Sequence, residues 1–186
     1  MGDFQLPSLI NAIQEISKTR FSYHSGFNNL IIEESPVKDR GVVSFWMSLI
    51  LISGKDIRVT FKTNYYQATI KKIMAKKFNK PIEQITTDQT KDFVREFCNL
   101  VAGTTKTIFE QVGSKVGISL PLVLRGFDNL FFIEKINENH YTYTWRLSEA
   151  DSYVDCCCYV EVLSPNIFKD ADMKFIERED DEVDFL

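Results

Sequence analysis

The sequence lacks the short motifs that mark most nucleotide-binding and hydrolytic enzymes. It contains no GxxxxGK[ST] phosphate loop, no GxGxxG turn, no GxSxG nucleophile elbow and no HExxH zinc motif. Only two histidines occur, His24 and His140; both lie near predicted turns, where we expect them to be solvated. A Ser–His or Cys–His nucleophile would need one of them. Any enzymatic chemistry must therefore work without a histidine base, a protein-bound metal or an organic cofactor.

Long apolar runs and a strong excess of one charge are also missing. The longest apolar stretch, 42–52, is about half of the ~20 residues that span a bilayer, and it is typical of a buried strand. The first residues show no secretory signal, so we expect a cytoplasmic chain without a membrane partner. Residues 1–169 hold 20 basic and 18 acidic side chains, which is too small an excess for nucleic-acid binding through a basic surface.

Cysteine is scarce and badly spaced for a metal site. The four cysteines are Cys98 and the run 156–158, and no CxxC pair occurs. Adjacent residues of a strand point to opposite faces of a sheet, so the three consecutive thiols cannot converge on one ion. We expect reduced, buried, small side chains and no metal bound by this chain.

The residues that are abundant indicate a packed domain. Hydrophobic residues make up 44% and aromatic residues 13% of the 186 positions, which is enough for a large core. Periodicity predicts helices at 6–18, 65–78 and 86–111, and strands at 30–32, 42–52, 57–62, 118–124, 129–136, 141–147 and 154–163. This order predicts an α+β fold, with an antiparallel-rich sheet packed against helices, rather than an alternating βαβ fold.

The acidity of the chain is concentrated at its end. Residues 170–186 hold eight acidic and two basic side chains, although the whole chain carries a net charge of only −4. Such a composition does not support a packed element by itself. We therefore expect a single domain at 1–168 and a flexible acidic tail at 169–186.

The longest predicted helix, 86–111, carries the most informative residues. Helical spacing predicts a core face formed by Phe93, Phe97, Leu100, Val101, Thr104 and Ile108. Glu96 and Asn99 are three residues apart and are therefore neighbours on the helix surface. Gly103 lies four residues further on and leaves bare backbone beside them, where another molecule could approach closely. From the physics alone, ordinary surface residues and a glycine tolerated for packing are the simpler interpretation.

One segment of this helix resembles a known family motif. Residues 96–103 read EFCNLVAG, which resembles the ExxN…G signature of the CheC/CheX/FliY phosphatases of bacterial chemotaxis. Residues 9–13, the strand–turn–strand–helix order over 42–74, and the SLPLVLRG segment at 119–126 are also similar to that family. The resemblance covers about residues 5–165. A single ExxN motif favours the CheX-like arrangement over the CheC type, which has two.

The resemblance implies a phosphatase that hydrolyses the aspartyl phosphate of a CheY-type response regulator. Asn99 would hold the attacking water in line with the scissile P–O bond, and Glu96 would pair with the regulator's active-site Lys. Gly103 would allow close docking on a rigid helix. The Mg²⁺ would belong to the regulator, so no cofactor of this chain is implied. The family also implies a homodimer with a continuous sheet, for which the strand 154–163 is the candidate edge.

The end of the chain suggests a separate contact with the partner. The last four residues mix acidic and apolar side chains: Val183, Asp184, Phe185 and Leu186. In this they resemble the short amphipathic peptides that bind response regulators. We assign it to partner docking; a disordered, solubilising tail is the simpler alternative.

Two other functions stay open at this stage. The first is a non-catalytic dimeric adaptor that binds a response regulator or another chemotaxis or flagellar component. The second is an unrelated α+β protein with a chance ExxN match, in which Glu96 and Asn99 would not be exposed side by side.

Overall fold

The computed structural model describes residues 6–34, 46–125 and 139–164. The helices in these ranges are α1 (Leu6–Ser25), α2 (Gln67–Phe78) and α3 (Thr87–Gln111), with a short 3-10 helix at Ile82–Gln84. The strands are β1 (Ile31–Glu34), β2 (Trp46–Gly54), β3 (Ile57–Tyr65), β4 (Val116–Ile118), β5 (Leu122–Arg125), β6 (His140–Glu149) and β7 (Ser152–Val162). The predicted boundary at 168/169 and the tail lie outside the described residues.

All described strands form one antiparallel sheet. Their order is β1-β6-β7-β3-β2-β4, and β5 also pairs with β2. The β2–β3 and β6–β7 pairs are hairpins, whose short connections favour antiparallel neighbours. The predicted α+β class with an antiparallel-rich sheet is therefore confirmed.

The core lies between the three helices and one face of the sheet. Side chains alternate along β3, so that Val59 and Phe61 face the helices while Lys62 faces the other side. Cys156 and Cys158 of β7 join the same core, and Cys157 is buried on the opposite face. All four thiols are buried, as predicted, and burial raises the pKa of Cys98 to about 11.

Two strand predictions are wrong. The strand at 154–163 is not an edge, because β7 lies between β6 and β3 and both of its sides are hydrogen-bonded. The predicted strand at 118–124 is two short strands, β4 and β5, with a break at 119–121. Pro121 has no N–H to donate to a strand ladder, and the Ser119 hydroxyl accepts a hydrogen bond from the Leu51 amide at 3.0 Å. The strand predicted at 129–136 and residues 42–45 of the central strand lie outside the described residues.

The first helix is longer than its pattern indicates, and this overturns the prediction of solvated histidines. α1 continues to Ser25 and ends at Gly26, whose φ of +76° suits glycine. His24 therefore lies in the last turn of a packed helix and is buried. His140 begins β6 and lies 3.4 Å from the Glu161 carboxylate. In the described ranges, no helix is both long enough and apolar enough to cross a membrane.

Candidate functional site

The helix that carries the motif begins at a well-formed cap. The Thr86 hydroxyl accepts a hydrogen bond from the Gln89 amide at 3.2 Å, and the Gln89 side chain accepts one from the Thr86 amide at 2.8 Å. This capping box satisfies two amides that the first turn leaves without partners. The start of α3, and with it the position of the motif two to three turns later, is set by residues 86–89.

The buried face of α3 orients the motif outward. The fully buried residues near the motif are Phe97, Cys98, Val101 and Ala102. Leu100 and Thr104, predicted as core, are only half-buried, because the buried stripe is centred one position away from the predicted one. Glu96 and Asn99 flank that stripe on its solvent side.

Glu96 and Asn99 lie side by side on the helix surface. The Asn99 Nδ2 donates a hydrogen bond to the Glu96 Oε2 at 3.5 Å. Asn99 is exposed and Glu96 is half-buried. The pair therefore presents a neutral amide and an adjacent carboxylate to any molecule that contacts this face, which the chance-match alternative does not predict.

Gly103 extends this surface with uncovered backbone. A Cβ built on Gly103 would meet no atom within 4 Å, so within residues 6–34, 46–125 and 139–164 neither packing nor a positive φ requires glycine there. A mid-helix glycine costs about 1 kcal/mol relative to alanine. The described residues thus give no packing reason for this glycine, and close approach by a second molecule stays a prediction.

Contacts from the first helix hold α3 in place beside the motif. The Arg20 Nε donates a hydrogen bond to the Thr104 hydroxyl at 2.9 Å, and the Thr104 hydroxyl donates to the Leu100 carbonyl at 3.0 Å. Phe21 packs edge-on against Phe97 with ring centroids 4.9 Å apart. The motif thus stands on a helix fixed by buried contacts on both sides of Glu96 and Asn99.

An apolar groove of about 540 Å³ adjoins the motif and was missed by sequence reasoning. Glu96 forms part of its wall, and the remaining lining comes from α1, α2, the segment between α2 and α3, and the first turns of α3: His24, Met74, Lys77, Phe78, Lys80, Ile85, Gln89, Asp92 and Phe93. These residues come from four separate segments, so no local spacing could have indicated the groove.

His24 forms the floor of the groove in an apolar setting. Its Nε2 lies 2.7 Å from the Phe93 carbonyl oxygen, to which the ring N–H donates, and its ring lies on that of Phe93 with centroids 4.0 Å apart. Burial lowers the pKa of His24 to about 4, and the nearby Lys77 charge contributes to the lowering. His24 is therefore neutral near pH 7.

Two further expectations concern metal binding and the end of the chain. Across residues 6–34, 46–125 and 139–164, no three His, Cys, Asp or Glu side chains converge to hold a metal ion. The predicted docking segment, Val183 to Leu186, lies outside the described residues.

Comparison with known proteins finds a family model that matches the part of the chain that carries this surface. Residues 49–136, from β2 past α3, match the family described as chemotaxis phosphatase CheX. Over these residues the chain is similar to CheX. The matched segment contains Glu96, Asn99 and Gly103. None of the curated proteins is similar enough to match the sequence.

Solved structures show that the CheX-like fold extends beyond the matched segment. The chemotaxis protein CheX from Vibrio vulnificus aligns with a TM-score of 0.63 and 16% identity over 82% of this chain and 99% of its own. A chain of the CheX-CheY-BeF3-Mg²⁺ complex from Borrelia burgdorferi aligns with a TM-score of 0.62 and 13% identity over 82% of this chain and 97% of its own. A CheC-like superfamily protein from Shewanella sp. PV-4 aligns with a TM-score of 0.60 and 16% identity over 83% of this chain and 97% of its own.

Proposed function

We propose that this CheX-like chain is a phosphatase that hydrolyses the aspartyl phosphate of a CheY-type response regulator. The observation that carries the proposal is the exposed Glu96–Asn99 pair on a rigid helix, with uncovered backbone at Gly103 one turn further on. The match to chemotaxis phosphatase CheX and the solved complex of a CheX with CheY support the choice of substrate. Such regulators act in the cytoplasm, where we expect this chain as well.

The proposed chemistry fits the groups that are present. An acyl phosphate is already activated, and its loose transition state needs a well-placed water more than a strong base. The Asn99 amide is neutral, so it can orient water next to a phosphoryl group without the repulsion that a carboxylate would add. Mg²⁺ held by the regulator would neutralise the developing charge, and the related complex named above contains Mg²⁺.

Glu96 has a positioning role in this proposal. Its carboxylate would pair with the regulator's active-site Lys and so set the register of docking. Because Glu96 is half-buried and lies 3.5 Å from the Asn99 amide, one contact would fix the amide relative to the scissile bond. Replacing Glu96 should therefore weaken regulator binding as well as slow hydrolysis.

The decisive experiment is the decay of a phosphorylated CheY-type regulator from the same organism. We expect the wild-type chain to accelerate the decay and Asn99→Ala to lose about 10²-fold of that acceleration while still binding. Glu96→Gln should raise the regulator concentration needed for half-maximal rate. Asn11→Ala on α1 and Glu110→Gln at the end of α3 are matched controls, since both residues are exposed and distant in sequence from the motif.

Three results separate the alternatives. Equal acceleration by wild type and Asn99→Ala would keep the phosphatase and discard Asn99 as its water-positioning group. Binding without acceleration by any regulator tested would favour the adaptor. Loss of acceleration in the control variants would point to general destabilisation.

We also propose that the protein is a homodimer, and the sheet edge must be reassigned. In the described part of the sheet, the side opposite β1 ends at β4 and β5. Leu120 and Leu122 are exposed at this end, at 85% and 52% of their surface. Light scattering should give a dimer mass, and Leu120→Lys should shift it toward the monomer. A monomeric wild type would refute the dimer.

The tail is proposed as a second contact with the regulator. Val183, Phe185 and Leu186 would bind an apolar groove on the regulator while Asp184 stays at the rim. Deleting residues 170–186 should lower the affinity for the regulator without changing the rate at saturation. Unchanged affinity would contradict this role.

A further inference from the structure

The groove beside Glu96 is built to bind an apolar segment of polypeptide. Its volume of about 540 Å³ falls in the range of ordinary ligand sites. Met74, Ile85 and Phe93 form a buried apolar floor, and Phe78 remains 47% exposed at the margin. An exposed aromatic ring beside a preformed apolar groove favours an occupant that carries large apolar side chains.

The two walls of the groove differ in charge. Residues 67–80, which include α2, contain five lysines and no acidic residue, and Lys77 and Lys80 line the groove itself. Lys71, Lys76 and Lys80 form no ion pair with any residue in the described ranges. On the α3 wall, Asp92 pairs with Arg95 at 2.8 Å. Lys77 donates to the carbonyls of Tyr23 and His24, so Lys80 is the groove lysine available to receive a carboxylate, and it lies across the groove lining from the acidic Asp92 and Glu96 of α3.

We propose that residues 182–186 of the same chain occupy this groove. Their sequence, EVDFL, alternates carboxylates with apolar side chains and ends in a further carboxylate at Leu186. In an extended segment, Val183 and Phe185 point to one side and Glu182 and Asp184 to the other. The apolar side would meet Met74, Phe78 and Phe93, and the acidic side would face Lys80.

The tail is long enough for this contact. The last described residue, Ser164, donates its amide to the Asp56 carbonyl at the β2–β3 turn. From that turn, β3 and α2 lead to the groove along a path of at most about 50 Å. The seventeen residues 165–181 can span about 56 Å when extended. Because the segment is tethered to the same chain, its binding to the groove does not depend on the protein concentration.

Occupancy would cover Glu96, because that side chain forms part of the groove. The segment would then have to leave before a regulator reaches the motif, and its apolar residues would become available at the same moment. The structural inference itself does not depend on phosphatase activity. It is decided by where residues 182–186 bind in the isolated chain.

The test uses the full chain with ¹³C-labelled methionine methyl groups. Met74 lies in the groove, whereas Met47 is buried on the opposite face of the sheet, so the two methyls report from different places. A nitroxide is attached at Glu182→Cys; the four native thiols are buried and unreactive. We expect the Met74 signal to be lost through paramagnetic broadening while Met47 keeps its intensity.

Variants define what holds the segment. Phe185→Ala with Leu186→Ala should restore the Met74 signal, whereas the matched tail variant Phe175→Ala should not. Lys80→Glu should partly restore the Met74 signal, whereas Lys115→Glu, which lies outside the groove, should not. High salt should weaken the contact between the segment and the groove.

Two outcomes would overturn the proposal. Full Met74 intensity with the nitroxide present would show that the segment does not visit the groove. Broadening that appears when nitroxide-bearing, unlabelled chains are mixed with untagged, ¹³C-labelled chains would assign the groove to the tail of a second copy. If the wild-type chain shows no phosphatase activity and the Met74 signal is still broadened, the proposed function alone is refuted.

Discussion

Protonation of His24 should destabilise the fold as the pH falls from 7 to 5. His24 is 7% exposed, its ring N–H at Nε2 donates to the Phe93 carbonyl, and its Nδ1 has no hydrogen-bond partner in the described structure. A proton added at Nδ1 would place a charge in an apolar site without an acceptor, close to the Lys77 ammonium. The folded state therefore resists protonation.

The magnitude follows from the shifted pKa. Burial lowers the pKa of His24 from 6.5 to about 4, so the unfolded chain binds a proton more readily at every pH between these values. The stabilisation is complete above pH 6.5 and is lost as the pH falls toward 4. Each pKa unit corresponds to 1.36 kcal/mol, so the neutral form of His24 contributes about 3 kcal/mol to the free energy of unfolding at high pH. About 2 kcal/mol of this contribution is lost between pH 7 and pH 5.

The assay is urea unfolding at pH 7, 6 and 5 for the wild type and His24→Gln. The glutamine can still donate a hydrogen bond but does not titrate, and other groups contribute equally to both proteins. The free energy of unfolding of the wild type should therefore fall by about 2 kcal/mol more than that of the variant over this range. Because the chain has only two histidines, NMR can follow both C2 protons directly.

Two results would refute the reasoning. One is equal pH dependence of the free energy of unfolding in the wild type and His24→Gln. The other is a His24 resonance, assigned by its absence in the variant, that titrates near 6.5. Either would mean that water reaches the ring and that the floor of the groove is less apolar than its packing indicates.

Three further substitutions test the helix and the sheet. Gly103→Ala should raise the free energy of unfolding by about 1 kcal/mol, because its methyl group meets no atom, yet weaken regulator binding in a titration; unchanged affinity would contradict close docking. Thr86→Ala should lower the free energy of unfolding by about 1 kcal/mol by removing the α3 cap, and an equal effect of Thr87→Ala would argue against that cause. Asp155→Ala should lower the free energy of unfolding in urea by about 3 kcal/mol, because the Arg146 guanidinium loses the carboxylate to which it donates two hydrogen bonds. A loss below about 1 kcal/mol would show that water replaces the carboxylate.

The local signals in the sequence predicted most elements correctly. The long helix was expected to start at residue 86 and end at 111, and α3 spans Thr87–Gln111, because the Thr86 cap and the apolar period act within a few residues of one another. The neighbouring positions of Glu96 and Asn99 follow from helix geometry alone, and the structure confirms them.

Errors occurred where residues far apart in sequence determine the environment. β7 was predicted as an edge, but strand order depends on which strands pair across the chain. His24 was predicted to be solvated, but Phe93, 69 residues away, covers its ring and accepts its hydrogen bond.

The sequence by itself determined the fold class, the motif and the absence of a familiar catalytic signature, because these depend on composition and on local periodicity. Only the tertiary structure decided that packing among the described residues does not require Gly103 and that Glu96 borders an apolar groove. Burial and open space at a residue are set by elements that local spacing does not specify. The groove exists because α1, α2 and α3 pack on one sheet, and it connects the motif to a surface that no single segment encodes.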